Sequence, residues 1–221
     1  MSGVDPSLRF RRQLDLLPLE KMTTPITVIG AGAVGSFTTL TLAKMGLSNL
    51  TVHDDDRVDT HNLPSQFFRL EDLGRLKVEA LRDLVRSFEG TEIAAHPTRF
   101  DGGPLRGIVV GAVDSMASRR IIWESVRFNA RVPLLVDCRM GGLVSIVRPV
   151  YQSDASSAGR YETTLHSDAQ SLQEPCSARS ILFTVLAIAS TVARLVRMHL
   201  VGEELPREVV QDHALGLQLV N

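Results

Sequence analysis

Six residues constrain this chain more than any others: Gly30-Ala31-Gly32-Ala33-Val34-Gly35. They follow Ile26-Thr27-Val28-Ile29, a β-branched run that reads as a buried strand over residues 26–30, and they open a stretch with helical spacing that ends near Gly46. A G-x-G-x-x-G between strand and helix allows a tight turn and lets backbone N–H groups meet a phosphate at a helix N-terminus. A second short strand, Leu50–His53, comes a few residues later. Strand, glycine turn, helix and strand make a βαβ unit, whose strands are parallel and whose crossover is right-handed. The glycines alone do not separate NAD, FAD and ATP.

The same rhythm continues downstream. Helical spacing over 76–88 and 117–128 alternates with apolar runs at 108–113 and 133–136, as in an open parallel sheet. Beyond Gly141 the pattern changes: 143–150 reads as a strand, 152–174 as a long polar loop, and 178–201 as an apolar helix. The expected fold is therefore α/β, a Rossmann-like doubly wound, largely parallel sheet flanked by helices, with a C-terminal strand/loop/helix extension. One domain over 1–221 is expected: an N-terminal arm (1–24), a nucleotide-binding core (25–140) and a substrate-side extension (141–221) with its loop at 152–177.

Composition narrows the function classes. At 44% hydrophobic and 22% charged the chain has ordinary globular usage, and a formal net charge of −1 supplies no field to attract nucleic acid or an anionic membrane. Its cysteines are Cys138 and Cys176, too few for a disulfide framework or a four-cysteine zinc site. Arg194, Arg197 and His199 interrupt the one near-span-length apolar stretch, which favours a core helix. Residues 1–20 show no secretory h-region, and a cytoplasmic location is the expectation.

The second strand ends in His53-Asp54-Asp55-Asp56, and an acid about 20 positions past the glycines is where a ribose hydroxyl pair is bound, which marks Asp54. The run from Asp54 through Asp56, Val58, Asn62 and Leu63 to Gln66 resembles the D-x-D-x-V-x-x-x-N-L-x-R-Q signature of the ThiF/MoeB family, which includes the adenylation domains of ubiquitin-activating enzymes. Arg9-Phe10-Arg11-Arg12-Gln13 looks like its R-Y-x-R-Q, Gly74-Arg75-Leu76-Lys77 like its G-x-x-K, and Val113-Asp114-Ser115 with Arg119 like its D-(S/N)-x-x-x-R. The resemblance spans roughly residues 9–150.

It implies a binding site for ATP and Mg²⁺; the paired C-x-x-C zinc motifs of many relatives are absent here, and no zinc is expected. Gly30, Gly32, Gly35, Asp54, Asp56, Asn62, Gln66 and Lys77 would hold the nucleotide, and Asp114 would ligate Mg²⁺. Lys77 would place an ammonium against the phosphates. Arg12 would reach the phosphates of a neighbouring subunit, which implies a homodimer. Joining a carboxylate to AMP needs such cations, because pyrophosphate must leave. One cation of the signature is missing: Ser65 stands where the family has arginine, and Arg69 or Arg75 are the nearby candidates to replace it.

Glu174-Pro175-Cys176-Ser177-Ala178-Arg179 resembles the thioester cysteine segment of ubiquitin-activating enzymes, with Cys176 expected at a helix N-terminus where thiolate is favoured. A buried structural cysteine is the competing reading. Cys138, behind an apolar run, reads as a core residue. The function implied is ATP-dependent adenylation of the C-terminal carboxylate of a ubiquitin-like or sulfur-carrier protein, with room for a thioester on Cys176 and for a downstream transfer enzyme. Three alternatives stand beside it: adenylation of a short peptide or small carboxylic acid, a non-catalytic nucleotide-binding subunit of an activating complex, and an NAD(P)-dependent oxidoreductase.

Overall fold

The computed structural model describes residues 5–165 and 180–221. Eight strands form one sheet in the order β3-β2-β1-β4-β5-β6-β7-β8. The strands are β1 (Ile26–Ile29), β2 (Leu50–His53), β3 (Ala94–His96), β4 (Ile108–Gly111), β5 (Leu134–Gly141), β6 (Val144–Val150), β7 (Val209–Asp212) and β8 (Leu217–Val220). The first five are parallel and the last three antiparallel. Ile26 pairs with both Leu50 and Ile108, and Ile29 with His53 and Gly111, so β1, β2 and β4 end level with one another. The chain order reverses between β1 and β4, and it is in the crevice beyond the carboxyl ends at such a switch point that open α/β sheets bind ligands.

β1 and β4 are buried at every position, as central parallel strands covered on both faces must be. Helices α2 (Ala33–Lys44), α3 (Lys77–Glu89) and α6 (Leu182–Leu200) contribute to one core cluster with Val28, Val52 and Val110. Helix α4 (Met116–Val126) contributes Ile122, Trp123 and Val126 to the other, where it meets α5 (Ala155–Glu162) through Tyr161. A short helix α1 (Pro6–Arg9) precedes the sheet. α6 has the length and composition to cross a membrane, yet it buries Val185, Ile188, Val192 and Val196, so its apolar stripe is a core face.

Three segments read from the sequence take a different form in the structure, and β3, β7 and β8 are additions to that reading. The stretch 152–174 is not loop throughout: α5 occupies Ala155–Glu162, capped by Asp154, whose side chain accepts the Ser156 N–H. Ser, Ala and Gly dominate that helix, and only Ser157 and Tyr161 are buried, which leaves no apolar period to read. The last long helix starts at Leu182, after Ser180 and Ile181, rather than near 178. β5 runs to Gly141, well past Val136, because the polar residues Asp137 and Arg139 pair with each other while the strand continues.

Candidate functional site

The glycine turn is fixed by close approaches of backbone. Gly30 has φ +99°, a left-handed conformation, and a Cβ there would lie 2.4 Å from the Ala112 carbonyl oxygen. A Cβ on Gly35 would lie 1.8 Å from the Gly30 carbonyl oxygen, so the first turn of α2 rests directly on the strand end. Gly32 is the N-cap of α2, and a Cβ there would meet none of the described residues within 4 Å. Among the described residues, the N-terminus of α2, whose first N–H groups have no partner within the helix, is therefore left open, a shape that fits an anion. Gly35→Ala is expected to force the turn apart and to cost about 1–3 kcal/mol; a thermal melt with and without MgATP should show a lower transition and no ATP-induced rise.

Asp54 ties the turn to β2. Its Oδ2 accepts the Ala31 N–H at 2.6 Å and its Oδ1 accepts the Asp56 N–H at 2.9 Å, while the Gly30 N–H bonds to the His53 carbonyl at 2.8 Å. Burial raises the Asp54 carboxyl above its ordinary value, against the pull of the Ala31 N–H and the Lys77 charge. Lys77 opens α3, is 6% exposed, and holds the exposed Asp56 carboxylate at 2.7 Å, while its backbone N–H bonds to the Asp56 carbonyl at 2.9 Å. The ammonium is thus anchored at the acidic end of β2, two residues from Asp54.

Thr60–Asn62 is a 3-10 turn in which Asn62, itself buried, accepts the Asp59 N–H through Oδ1 at 2.9 Å. Gln66 follows, its N–H on the Asn62 carbonyl, and its Oε1 is buried with no hydrogen-bond partner among the described residues. The next residue, Phe67, donates its N–H to the Ser36 hydroxyl in the first turn of α2 at 3.0 Å, and an orphaned buried amide beside that contact fits a bound polar ligand.

Asp114 is exposed on the segment that leaves β4, three residues past Gly111 and next to Ser115, the N-cap of α4. The Ala112 N–H bonds to the Ile29 carbonyl at 2.9 Å, so this segment lies directly beside the glycine turn. Arg119 is buried, bonds the Val113 carbonyl at 2.5 Å and pairs with buried Asp137, which also holds Arg139 at 2.7 Å. This ion cluster braces the approach to Asp114. Among the described residues, the one acidic group compact enough to gather a cation is Asp54, Asp55 and Asp56, whose ligand atoms lie within 4.8 Å of one another; Asp114 is not in it. A Mg²⁺ on Asp114 would take its other ligands from water and phosphate, as Mg²⁺ commonly does.

Several sequence-derived candidates lie elsewhere. Arg12 is exposed on the N-terminal arm and lines a cavity of about 390 Å³ with Arg9, Gln13, Lys44, Phe88 and Glu89. Lys44 and Glu89 are the last residues of α2 and α3, so this cavity sits at the far end of the sheet, about 18 Å along α2 from the glycine turn. Arg69 and Arg75 do not replace the cation missing at Ser65. Both pair with buried Asp72, and Arg75 also with Asp83. Ser65 is buried too, accepting a hydrogen bond from the Ser180 hydroxyl at 3.0 Å. Cys138 is a core residue: burial first, then Asp137, pushes its thiol far up. Cys176 lies outside the described residues.

A glycine turn, an acidic strand end and a buried lysine lie together at the switch point of a Rossmann-like, doubly wound sheet. The chain belongs to the ThiF family, whose model it matches over residues 18–216. It is 36% identical over 104 residues to the NEDD8-activating enzyme E1 catalytic subunit of Arabidopsis thaliana, a match covering 44% of this chain and 23% of that one. It is 26% identical over 215 residues to the sulfur carrier protein ThiS adenylyltransferase of Escherichia coli (strain K12), covering 90% and 83%. The fold is that of crystalline PaaA (TM-score 0.76, 16% identity, 100% of this chain and 75% of that one) and of E. coli MccB with ATP (TM-score 0.74, 13% identity, 100% and 72%). The chain spans about a quarter of the NEDD8-activating subunits it matches.

Proposed function

We propose that the chain adenylates the C-terminal carboxylate of a ubiquitin-like or sulfur-carrier protein, with MgATP as co-substrate. The observation that carries this reading is the anchoring of Asp54 and Lys77 around a glycine turn in a ThiF-family chain, the turn itself being held by Ala112, two residues before Asp114. ATP supplies the electrophilic α-phosphorus: a carboxylate oxygen forms the new P–O bond, the α–β P–O bond breaks, and pyrophosphate leaves. Lys77 and the N–H groups of the glycine turn stabilise charge on the phosphates, and Asp54 holds the ribose. Asn62 and Gln66 line the nucleotide on the side of the 3-10 turn, and Asp114 holds Mg²⁺.

Arg12 acts in trans. Its place at the far end of the sheet from the glycine turn suits a role on the neighbouring subunit's phosphates: Glu89 pairs with Arg9 and Lys44 beside it, while Arg12 has no carboxylate partner among the described residues. Arg12→Ala and Lys77→Met are each expected to be inactive alone. Mixed in equal amounts and allowed to exchange subunits, they should regain about a quarter of wild-type activity, since half the dimers then hold one intact site. No recovery on mixing would place Arg12 in its own subunit's site, and an active Arg12→Ala variant would place it outside the reaction.

Transfer of the acyl group to the Cys176 sulfur, with AMP leaving, is the second step of this proposal; the buried thiol of Cys138 is unsuited to it. Mass spectrometry of the protein with MgATP and ubiquitin-like or sulfur-carrier proteins tests both steps. A carrier–AMP species and a thiol-reducible adduct absent from Cys176→Ala are expected. A second reading, a subunit that binds nucleotide without turnover, is favoured by Ser65, whose hydroxyl is engaged by Ser180; ATP binding with no adenylate from any carrier would establish it.

A further inference from the structure

This inference rests on the reading that the crevice binds a nucleotide, and it concerns the base. With the ribose at Asp54 and the phosphates over the glycine turn and α2, the base is directed away from α2, toward α4 and the connection between β3 and β4. A flat wall stands there. The imidazoles of His53 and His96, paired residues of β2 and β3, stack with centroids 4.5 Å apart and planes 8° apart, and Phe100 meets His53 edge-on at 5.6 Å. Burial, then the neighbouring His96 imidazole, lowers the His53 pKa, which favours the neutral ring.

Arg99 directly precedes Phe100 in the chain. Its Nη2 donates to the Ser118 hydroxyl at 3.1 Å, and that hydroxyl is bonded to the hydroxyl of Ser115, the N-cap of α4, at 2.9 Å. The guanidinium therefore reaches from the β3–β4 connection to the first turn of α4, next to Asp114. Other cations around the crevice are engaged: Lys77 by Asp56, Arg69 and Arg75 by Asp72, and Arg57 by the Gly74 carbonyl. Arg99 has no carboxylate partner among the described residues. A guanidinium plane held by one edge keeps a free face, and such a face stacks on aromatic ring systems.

We propose that Arg99, braced by Ser118, stacks on the base of the bound nucleotide and selects purine over pyrimidine. A purine offers the larger π-face. Calorimetric titration of wild type, Arg99→Leu and Arg99→Lys with ATP, with CTP and with inorganic tripolyphosphate tests this. Arg99 is exposed, so neither variant disturbs the core. Arg99→Leu should weaken ATP about tenfold, leave tripolyphosphate unchanged and shrink the preference for ATP over CTP. Arg99→Lys, which keeps the charge without the plane, should not restore it. Unchanged ATP affinity, or equal weakening of ATP and tripolyphosphate, would overturn the assignment while leaving the nucleotide site intact. A wild-type protein that binds neither nucleotide would overturn both.

Discussion

Lys77→Met is expected to lower carrier-dependent exchange of labelled pyrophosphate into ATP by roughly 10²–10³-fold, the usual effect of removing one preorganised donor from a developing charge. The methionine keeps the unbranched stem that Lys77 buries and removes only the ammonium. Its partner Asp56 has a side chain 66% exposed and is rehydrated once unpaired, so folding should be little affected. Loss of exchange with a melting temperature within a few degrees of wild type is the combined result to look for. Retention of more than a tenth of the exchange rate would remove Lys77 from the chemistry and reduce it to a packing residue at the start of α3.

The largest effect on stability is expected at Asp137. Its carboxylate, with a side chain 2% exposed, holds Arg119 (6%) on one oxygen and Arg139 (15%) on the other. Taking away a buried partner leaves uncompensated charge, and Asp137→Ala should cost about 3–5 kcal/mol. Against a total of roughly 5–15 kcal/mol for a typical domain, that is a large share. Urea unfolding followed by circular dichroism checks it through the midpoint at unchanged slope. Because Arg119 also holds the Val113 carbonyl beside Asp114, the variant should bind ATP less tightly even where it remains folded. A loss under about 1 kcal/mol would mean that the two guanidinium groups find water once the carboxylate is gone.

The parallel half of the sheet was legible because its signals are local. β1 and β4 are β-branched runs broken by glycine, and α3 places Val78, Leu81, Leu84 and Val85 at helical spacing. β7 and β8 were not legible: residues 217–220 are all exposed, and a strand without a buried face has no reason to alternate. β3 was missed for a similar reason, being three residues at the sheet margin with its ends exposed.

The same distinction runs through the site. The glycines, Asp54 and Lys77 sit in short motifs whose spacing is itself the signal, and the structure gathers them around the end of β2. The Asp137 cluster depends on Arg119, eighteen residues earlier, and the Arg99 contact on Ser118, nineteen residues later. Neither pairing has a periodic trace in the sequence. Arg69 and Arg75 show the converse: proximity in sequence made them candidates for the missing cation, but Asp72 and Asp83 had already engaged them.

Adenylation of a carrier is tested by ATP–pyrophosphate exchange with purified ubiquitin-like and sulfur-carrier proteins, run beside calorimetric ATP binding. Exchange should appear only with a carrier bearing a free C-terminal carboxylate and disappear in Lys77→Met. ATP binding without exchange for every carrier supplied would contradict adenylation of a carrier and leave a nucleotide-binding subunit in its place.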